Sequence, residues 1–407
     1  MNRARALLAA VLLLSLAAGY FLRQEPQVDE RAVLRSLMPG EEFGEKAGAP
    51  LHYRSRGGLA AFSSADVTPG IRGYAGPINV LLVIGPDGRI GGIRLLSHRE
   101  TKTYVHYLET PAYLDRFIGK SVLDRFEPDK DIDGISRATV SVEALGRTVR
   151  ESSRLVAANV YGLRAGVGGT SGAPGRDWIW YAALVALSAA GYRLTLRSAR
   201  FQPLRDACLL ASIAVVGLYL ASPFSVLHLF NVALGRLSSS ALWYVLVGSA
   251  LLSVLLAGRL YCGWLCPFGA LSELIARIPL RKWSIAPELD DHWRKAKYLL
   301  LAAVIPVVLL TGRVDLGDYE VYTTLFAGHG SAAAWTLTGL MLLANLRVPR
   351  FWCRYLCPVA AATGAVCRQD PAYTSRHDCP MGNKKDPLTA ECIRCNRCRR
   401  PAAAPAP

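Results

Sequence analysis

Cysteine is missing from residues 24–176, although the 407-residue chain has ten cysteines. A disulfide framework is thereby excluded for that stretch. Nine of the ten cysteines lie between Cys262 and Cys398, in groups at short spacing. That is the distribution of metal ligands kept reduced in the cytoplasm, not of a disulfide scaffold. No Walker loop and no glycine-rich dinucleotide fingerprint occur, which argues against ATP use and direct NAD(P)H oxidation. There is no Cys-x-x-Cys-His for haem attachment, and no helix-turn-helix or kinase signature. Acidic residues are in deficit: 31 Asp and Glu stand against 47 Lys and Arg, a net charge of +16. Such an excess suits nucleic acid or an anionic membrane surface. The basic residues cluster beside apolar segments, so the membrane accounts for them and no nucleic-acid partner is expected.

What is present is apolar. Hydrophobic residues make up 52% and the mean hydropathy is +0.24, above a soluble average. The length calls for two or three modules. An apolar run from Ala6 to about Leu22 follows Arg3 and Arg5. It reads as an uncleaved anchor, because no small-x-small cleavage site follows before Gln24; a cleaved signal peptide is the rival reading. Five more runs cover Trp178–Tyr192, Ala207–Leu227, Ala241–Tyr261, Tyr298–Gly312 and Ala332–Val348. The first and fourth of these are short for a span of about 20 residues, but Trp and Tyr at their ends fit the interfacial belt. Arg193, Arg197, Arg200 and Arg205 fill one loop; Arg277, Arg281, Lys282, Arg294, Lys295 and Lys297 fill another. The positive-inside rule then predicts six spans, both termini in the cytoplasm and residues 24–176 outside. His228 and His329 fall outside and His292 inside, so they read as interfacial residues in preference to a haem pair.

The expected organisation is an anchor (1–23), an α+β outer domain (24–176), an all-α membrane domain (177–361) and a cysteine-rich cytoplasmic tail (362–407). In the outer domain, Ile78–Ile84 and Ile90–Leu96 read as a hairpin around the Pro86-Asp87-Gly88 turn. Val140–Asn159 reads as a helix with Leu145, Val149, Leu155 and Val156 on one side. Gly70-Ile-Arg-Gly73-Tyr74-Ala-Gly76-Pro77 precedes the hairpin, and His98-Arg-Glu100-Thr101 follows it. Asp133-Gly-Ile-Ser136-Arg137-Ala138-Thr139-Val-Ser141 leads into the helix. Free N–H groups and partial positive charge at a helix N-terminus suit a phosphate diester. The plainer reading is that Ser136 or Thr139 caps the helix.

These elements resemble the flavin-binding domain shared by NosR/NirI proteins and the G subunits of Rnf-type redox pumps. The resemblance implies FMN attached through its phosphate to Thr139, with Ser136, Ala138 and Ser141 matching the motif. It implies a flavin transferase as partner, and a place near the flavin for Gly73, Tyr74, His98, Glu100 and Thr101. Arg137 replaces the usual glycine and Lys102 a frequent proline; Arg137 offers a cation to the phosphate. A covalent link prevents loss of a cofactor held outside the inner membrane.

Two copies of one pattern end the fourth and sixth spans. They are Arg259-Leu-Tyr-Cys262-Gly-Trp-Leu-Cys266-Pro267-Phe-Gly-Ala270 and Arg350-Phe-Trp-Cys353-Arg-Tyr-Leu-Cys357-Pro358-Val-Ala-Ala361. Four thiolates suit one iron–sulfur cluster; zinc and inert buried thiols are the alternatives. The duplication resembles the polyferredoxin-like module of NosR, NapH and the reductive-dehalogenase-associated C proteins. In the tail, Cys392-Ile-Arg-Cys395-Asn-Arg-Cys398 lacks the usual fourth cysteine, since Ala402 stands there. Cys379-Pro380 reads as the end of an eroded first run, so Cys379, Cys392, Cys395 and Cys398 are expected to hold one cluster. Cys367 is either a ligand remnant or a structural thiol. Residues 401–407 are Ala/Pro-rich and read as disordered.

The sum is an expectation of transmembrane electron transfer, between one or two 4Fe-4S clusters on the cytoplasmic side and an outer, periplasmic FMN. The donor is a quinol or a ferredoxin-like protein; the acceptor is a periplasmic reductase or its maturation factors. The rival readings are a redox-sensing membrane regulator and an assembly factor.

Overall fold

A computed structural model describes residues 14–15, 17–19, 28–71, 73, 77–98, 108, 110–128, 130–133, 139–163, 176–238, 240–367, 379–381 and 391–398, with Thr139 and Val140 described by backbone only. The chain divides into two compact units. One joins Gln24–Pro174 with Gly235–Trp243; the other joins Met1–Arg23, Gly175–Leu234 and Tyr244–Pro407.

The first unit is α+β. Helix α1 (Glu30–Leu37) starts on Asp29, whose carboxylate accepts the N–H groups of Arg31 and Ala32. An antiparallel sheet follows in the order β1 (Tyr53–Arg54), β2 (Ala60–Ser63), β3 (Ile78–Ile84), β4 (Ile90–His98). The expected hairpin is β3–β4, turned at Gly88 with φ +73°. The strand β4 runs to His98, two residues beyond the expected end. The first two strands are too short to show a period in the sequence. Helix α2 (Thr139–Tyr161) covers the sheet. Val142, Leu145, Val149 and Val156 are buried in one core with Phe62, Val80, Leu82 and Ile93. Leu155, expected on that face, is 43% exposed; at 3.6 residues per turn it falls off the stripe drawn by 145, 149, 152 and 156.

The second unit is helical. Helix α3 (Asp177–Arg197) and the apolar helix Ala199–Tyr219 are each long and apolar enough to cross a membrane. The second of these begins with a 3-10 turn, Ala199–Phe201, continues as α4 (Gln202–Ser212) and ends in a π-helical segment, Ile213–Tyr219. The run expected over Ala207–Leu227 is therefore not continuous. It breaks after Tyr219, Ala221 takes φ +45°, and α5 (Val226–Ala233) restarts on the Ser225 cap. Helix α6 (Ala241–Ala257) is apolar and stops at Gly258, φ +85°. Then come α7 (Leu260–Trp264), α8 (Pro267–Ile275), α9 (Pro287–Arg294) and α10 (Ala296–Thr311). The last four are α11 (Val321–Ala327), α12 (Ala332–Arg347), α13 (Phe351–Tyr355) and α14 (Pro358–Val366). The order α6–α7–α8 recurs as α12–α13–α14, so the duplicated sequence is a duplicated structure.

Candidate functional site

In the α+β unit Gly73, His98 and the start of α2 share one end of the sheet. Ile78 pairs with His98 across β3 and β4, so Gly73, just upstream of Ile78, and His98 lie at the same end of the hairpin. At the opposite end Tyr161, the last residue of α2, donates its hydroxyl to Ile84 O at 3.2 Å. Helix α2 thus runs in the direction of β3, and its first residue, Thr139, belongs to the end that holds His98. Asp133 leads in, anchored by the Tyr113 hydroxyl on its carbonyl at 2.8 Å and by an ion pair with Arg116. Ser141 is buried. Close helix packing depends on Gly146, where a Cβ would lie 2.3 Å from Phe126 O. Tyr74, Glu100, Thr101, Ser136, Arg137 and Ala138 lie outside the described residues, as does the Thr139 side chain. A helix start at the open end of the hairpin, away from its turn, suits a phosphate.

In the helical unit the two Cys-x-x-x-Cys-Pro copies have one geometry. Cys262 sits within α7 and Cys353 within α13. Cys266 and Cys357 are N-caps of α8 and α14, each followed by proline at the first helical position. Their Sγ atoms accept the N–H groups of Gly269 at 3.3 Å and Ala360 at 3.4 Å. These N–H bonds and the helix dipoles favour sulfur bearing negative charge. All four thiols are electrostatic neighbours: Cys266 interacts with Cys353 and Cys262, and Cys357 with Cys353 and Cys262. Burial pushes the Cys266, Cys353 and Cys357 thiols up, with Arg350 opposing the rise at Cys266 and, with Arg259, at Cys353.

The tail cysteines form a second set. Cys379 and Cys392 each interact with Cys395 and Cys398. Burial pushes the Cys379 thiol up to about 11 and the Cys392 thiol up to about 12. Arg394 and Asn396 take left-handed φ values of 57° and 62°, a backbone that turns successive N–H groups into an anion-binding concavity. The Arg394 N–H meets Cys392 Sγ at 3.5 Å. This set docks on the first copy of the repeat and on α3 and α4. Trp264 Nε1 donates to Arg394 O at 3.0 Å, Gln202 Nε2 to Cys395 O at 3.1 Å, and Asn396 Nδ2 to Thr195 Oγ1 at 2.7 Å.

Buried ion pairs surround both sets. Glu391 accepts from Arg259 at 3.1 Å, Lys297 at 2.6 Å and the Tyr298 hydroxyl at 3.0 Å. Glu273 meets Arg205 at 2.7 Å, Arg350 at 2.8 Å and Arg397 at 3.1 Å. Asp290 meets Arg294 at 2.8 Å and Arg354 at 2.7 Å. Against the desolvation of burial, Lys297, Arg259 and Arg294 hold the Glu391 carboxyl down to about 2, and the arginines hold Glu273 well below the usual range. Cations nevertheless outnumber carboxyls. Arg205, Arg259, Arg294, Lys297, Arg350, Arg354 and Arg394 are buried against Glu273, Asp290, Glu320 and Glu391, among the described residues. Arg350 Nε and Trp352 Nε1 are buried donors with no hydrogen-bond partner among the described residues. Surplus buried cations and orphaned donors are costly alone. They fit an anionic group ligated by the thiolates. Among the described residues no three ligand side chains close round a common point as they would for a single metal ion. A four-iron cluster takes one thiolate per iron and does not require that convergence.

The sequence reading missed these ion pairs and the docking of the tail. Its one available signal was the arginine three residues before the first cysteine in each copy, Arg259 and Arg350.

Two domain families match. The FMN-binding domain matches residues 73–153 and the 4Fe-4S binding domain matches residues 240–286 and 329–368. The second match covers both copies of the helical repeat. The chain is 31% identical to the putative electron transport protein YccM of Escherichia coli (strain K12), over 42% of this chain and 56% of that protein. It is 33% identical to protein NirI of Paracoccus denitrificans (strain Pd 1222), over 29% of this chain and 19% of NirI. It is 28% identical to regulatory protein NosR of Pseudomonas aeruginosa (strain PAO1), over 42% of this chain and 26% of NosR. The matched stretch thus spans less than two thirds of each of these relatives. FMN and 4Fe-4S clusters are the cofactors of the two domains.

Proposed function

We propose that this chain, a NosR/NirI-like protein with FMN and 4Fe-4S domains, transfers electrons across a membrane. The route joins the thiols on the cytoplasmic side to an FMN held covalently on Thr139 in a periplasmic domain. The observation that carries the reading is the surplus of buried cations round two four-thiol sets, in a chain that also carries an FMN-binding domain. FMN supplies a carrier of one or two electrons, and 4Fe-4S clusters supply one-electron steps. The residues do the rest. Cys262, Cys266, Cys353 and Cys357 hold one cluster and Cys379, Cys392, Cys395 and Cys398 the other. Arg259 and Arg350 balance their charge, and Trp264 fixes one set against the other. Thr139, at the start of α2, carries the flavin phosphate, with Ser136, Arg137, Ala138, Ser141, Gly73, Tyr74, His98, Glu100 and Thr101 around it.

The chain crosses the bacterial inner membrane six times, through an N-terminal anchor and the helices 177–197, 199–219, 241–257, 296–311 and 332–347. The donor is a quinol or a ferredoxin-like protein, and the acceptor is a periplasmic reductase or its maturation machinery. A flavin transferase attaches the FMN. The name of NosR as a regulatory protein supports a second reading, in which the outer flavin senses redox state.

Flavin fluorescence on a denaturing gel tests the first step. The full-length protein, made with a periplasmic flavin transferase, is expected to give a fluorescent band. Thr139→Ala is expected to lose it at equal expression. A dark band from the unmodified protein with an active transferase would sink the covalent assignment.

A further inference from the structure

Helix α9 is inside out for a helix in water. Asp290 and Arg294, one turn apart, are buried and paired with each other at 2.8 Å. Asp290 also meets Arg354 at 2.7 Å, and Arg294 donates to the Met381 carbonyl. Leu289 and Trp293, likewise one turn apart, turn outward and are 53% and 58% exposed. The connector that leads into α9 has the same character. Trp283 is 66% exposed there, and Ile278 and Leu280 are exposed shortly before it. Large apolar side chains turned outward along one connector mark a surface that something apolar covers.

The same connector is fastened to the end of α12. The Trp283 N–H donates to Arg347 O at 3.0 Å. Lys282 Nζ donates to Leu346 O at 2.9 Å and to Ile278 O at 3.0 Å, and Arg347 Nη1 donates to Arg281 O at 3.2 Å. Lys282 thereby caps the last turn of α12, where the helix dipole favours a cation. Capping uses two of the three ammonium hydrogens and accounts for neither Arg281 nor Arg347. These bonds gather three cations, none of which forms an ion pair with a carboxylate among the described residues. Arg313, after the far end of α10, is by contrast paired with Asp315 at 2.8 Å. Burial and the neighbouring Arg347 lower the Lys282 pKa, as befits a cation whose charge is unbalanced.

We propose that Arg281, Lys282 and Arg347 bind the phosphate of an anionic phospholipid, with the exposed Trp and Leu side chains of the connector in the same lipid layer. This rests on reading α10 and α12 as membrane spans. Arg347 is the last residue of α12, so under that reading the three cations lie at headgroup level. A phosphodiester takes charge-assisted hydrogen bonds from guanidinium and ammonium groups, and the trio offers both. Trp at that depth sits between headgroups and hydrocarbon, and a helix with an apolar outer face lies in the interface plane. Helix α12 has 16 residues, short for a crossing, and cations that hold headgroups at its end secure a short helix. A protein partner would cover the apolar side chains equally well. Three cations without a carboxylate, bound to the end of a span, are matched by the lipid.

The test is native mass spectrometry of the full-length protein in detergent, titrated with phosphatidylglycerol or with phosphatidylcholine. The wild type is expected to bind phosphatidylglycerol more tightly. Arg281→Gln and Lys282→Gln are each expected to weaken that binding about fivefold, the share of one cation at an anionic membrane surface, and to leave phosphatidylcholine unchanged. Arg313→Gln, which removes a cation already paired with Asp315, is the control and is expected to change neither constant. Equal affinity of the wild type for the two lipids overturns the site. So does an unchanged phosphatidylglycerol constant in both variants, or an equal loss in Arg313→Gln. Displacement of the lipid by inorganic phosphate at equal concentration assigns the cations to a soluble phosphate and overturns the lipid. Should Lys282→Gln fail to fold, Arg281→Gln decides, because only the carbonyl of Arg281 is bonded among the described residues. Recovery of the chain in the soluble fraction without detergent overturns the spans, and the lipid site with them.

Discussion

Gly263 has no room for a methyl group. A Cβ there would lie 2.0 Å from Ile393 O, so the bare backbone is what lets the tail settle on α7. The matching residue in the second copy is Arg354, whose guanidinium holds Asp290 and whose carbonyl accepts Lys297 Nζ at 2.9 Å. One copy of the repeat receives the tail and the other is tied to α9 and α10. Gly263→Ala should therefore displace the tail, at about 1–3 kcal/mol for forced overpacking. Iron analysis and EPR are expected to show loss of the Cys379, Cys392, Cys395, Cys398 cluster with the other set retained. Retention of both would mean that the tail does not depend on this contact. The difference between Gly263 and Arg354 was visible in the sequence. What fills the space over Gly263 was not, because the contact joins residues far apart in the chain with no shared local pattern.

At the scale of elements, the duplicated Cys-x-x-x-Cys-Pro pattern was legible. The helix that starts on each Cys-Pro pair was not expected, although a cap followed by proline is a local signal. The β3–β4 hairpin was legible, with its apolar runs about a Gly turn. Strands β1 and β2 were not, and neither was the break at 220–225 inside an evenly apolar run. Hydropathy reports that a segment is apolar, not where the hydroxyls of Tyr261 and Tyr322 bond its backbone at Phe224. The ion pairs were also hidden, since Glu391 and Arg259 are each unremarkable alone. Glu391→Gln leaves Arg259 and Lys297 buried without their carboxylate, which costs about 3–5 kcal/mol. A lower thermal midpoint in detergent and earlier proteolysis of the tail are expected. The acid response has a definite sign. The folded carboxyl lies at about 2, below an unfolded value of about 4.3. Its contribution is complete above about pH 4.3 and is lost as pH falls toward the folded value. Stability measured across that window should fall with acid in the wild type, with a smaller fall in Glu391→Gln.

At the scale of the whole chain, membrane crossing is argued from charge and length together. Helices 177–197 and 199–219 each have 21 residues, about 32 Å at 1.5 Å per residue, enough for a hydrocarbon core of about 30 Å. Helices α10 and α12 have 16 residues each, about 24 Å. They cross only with local thinning of the bilayer or help from flanking residues. Length alone therefore leaves the number of crossings to the basic loops. Those loops alternate: Arg193 to Arg205 and Arg277 to Lys297 are rich in cations, whereas the connector at 312–320 carries Arg313 beside Asp315, Asp318 and Glu320. In the proposed topology the positive-inside rule turns the cation-rich loops and the tail to the cytoplasm. Alkaline phosphatase, which is active only outside, is expected to work when fused after residue 172 or residue 330. It should be inactive when fused after residue 200, 285 or 381. Activity at 381 would place the tail outside, where an oxidising environment opposes reduced thiolates, and the cytoplasmic donor would have to be abandoned. Activity at 172 and inactivity at 285 and 381, with loss of activity at 330, would remove both α10 and α12 from the bilayer. That result would keep the electron path and change only the number of crossings that carry it.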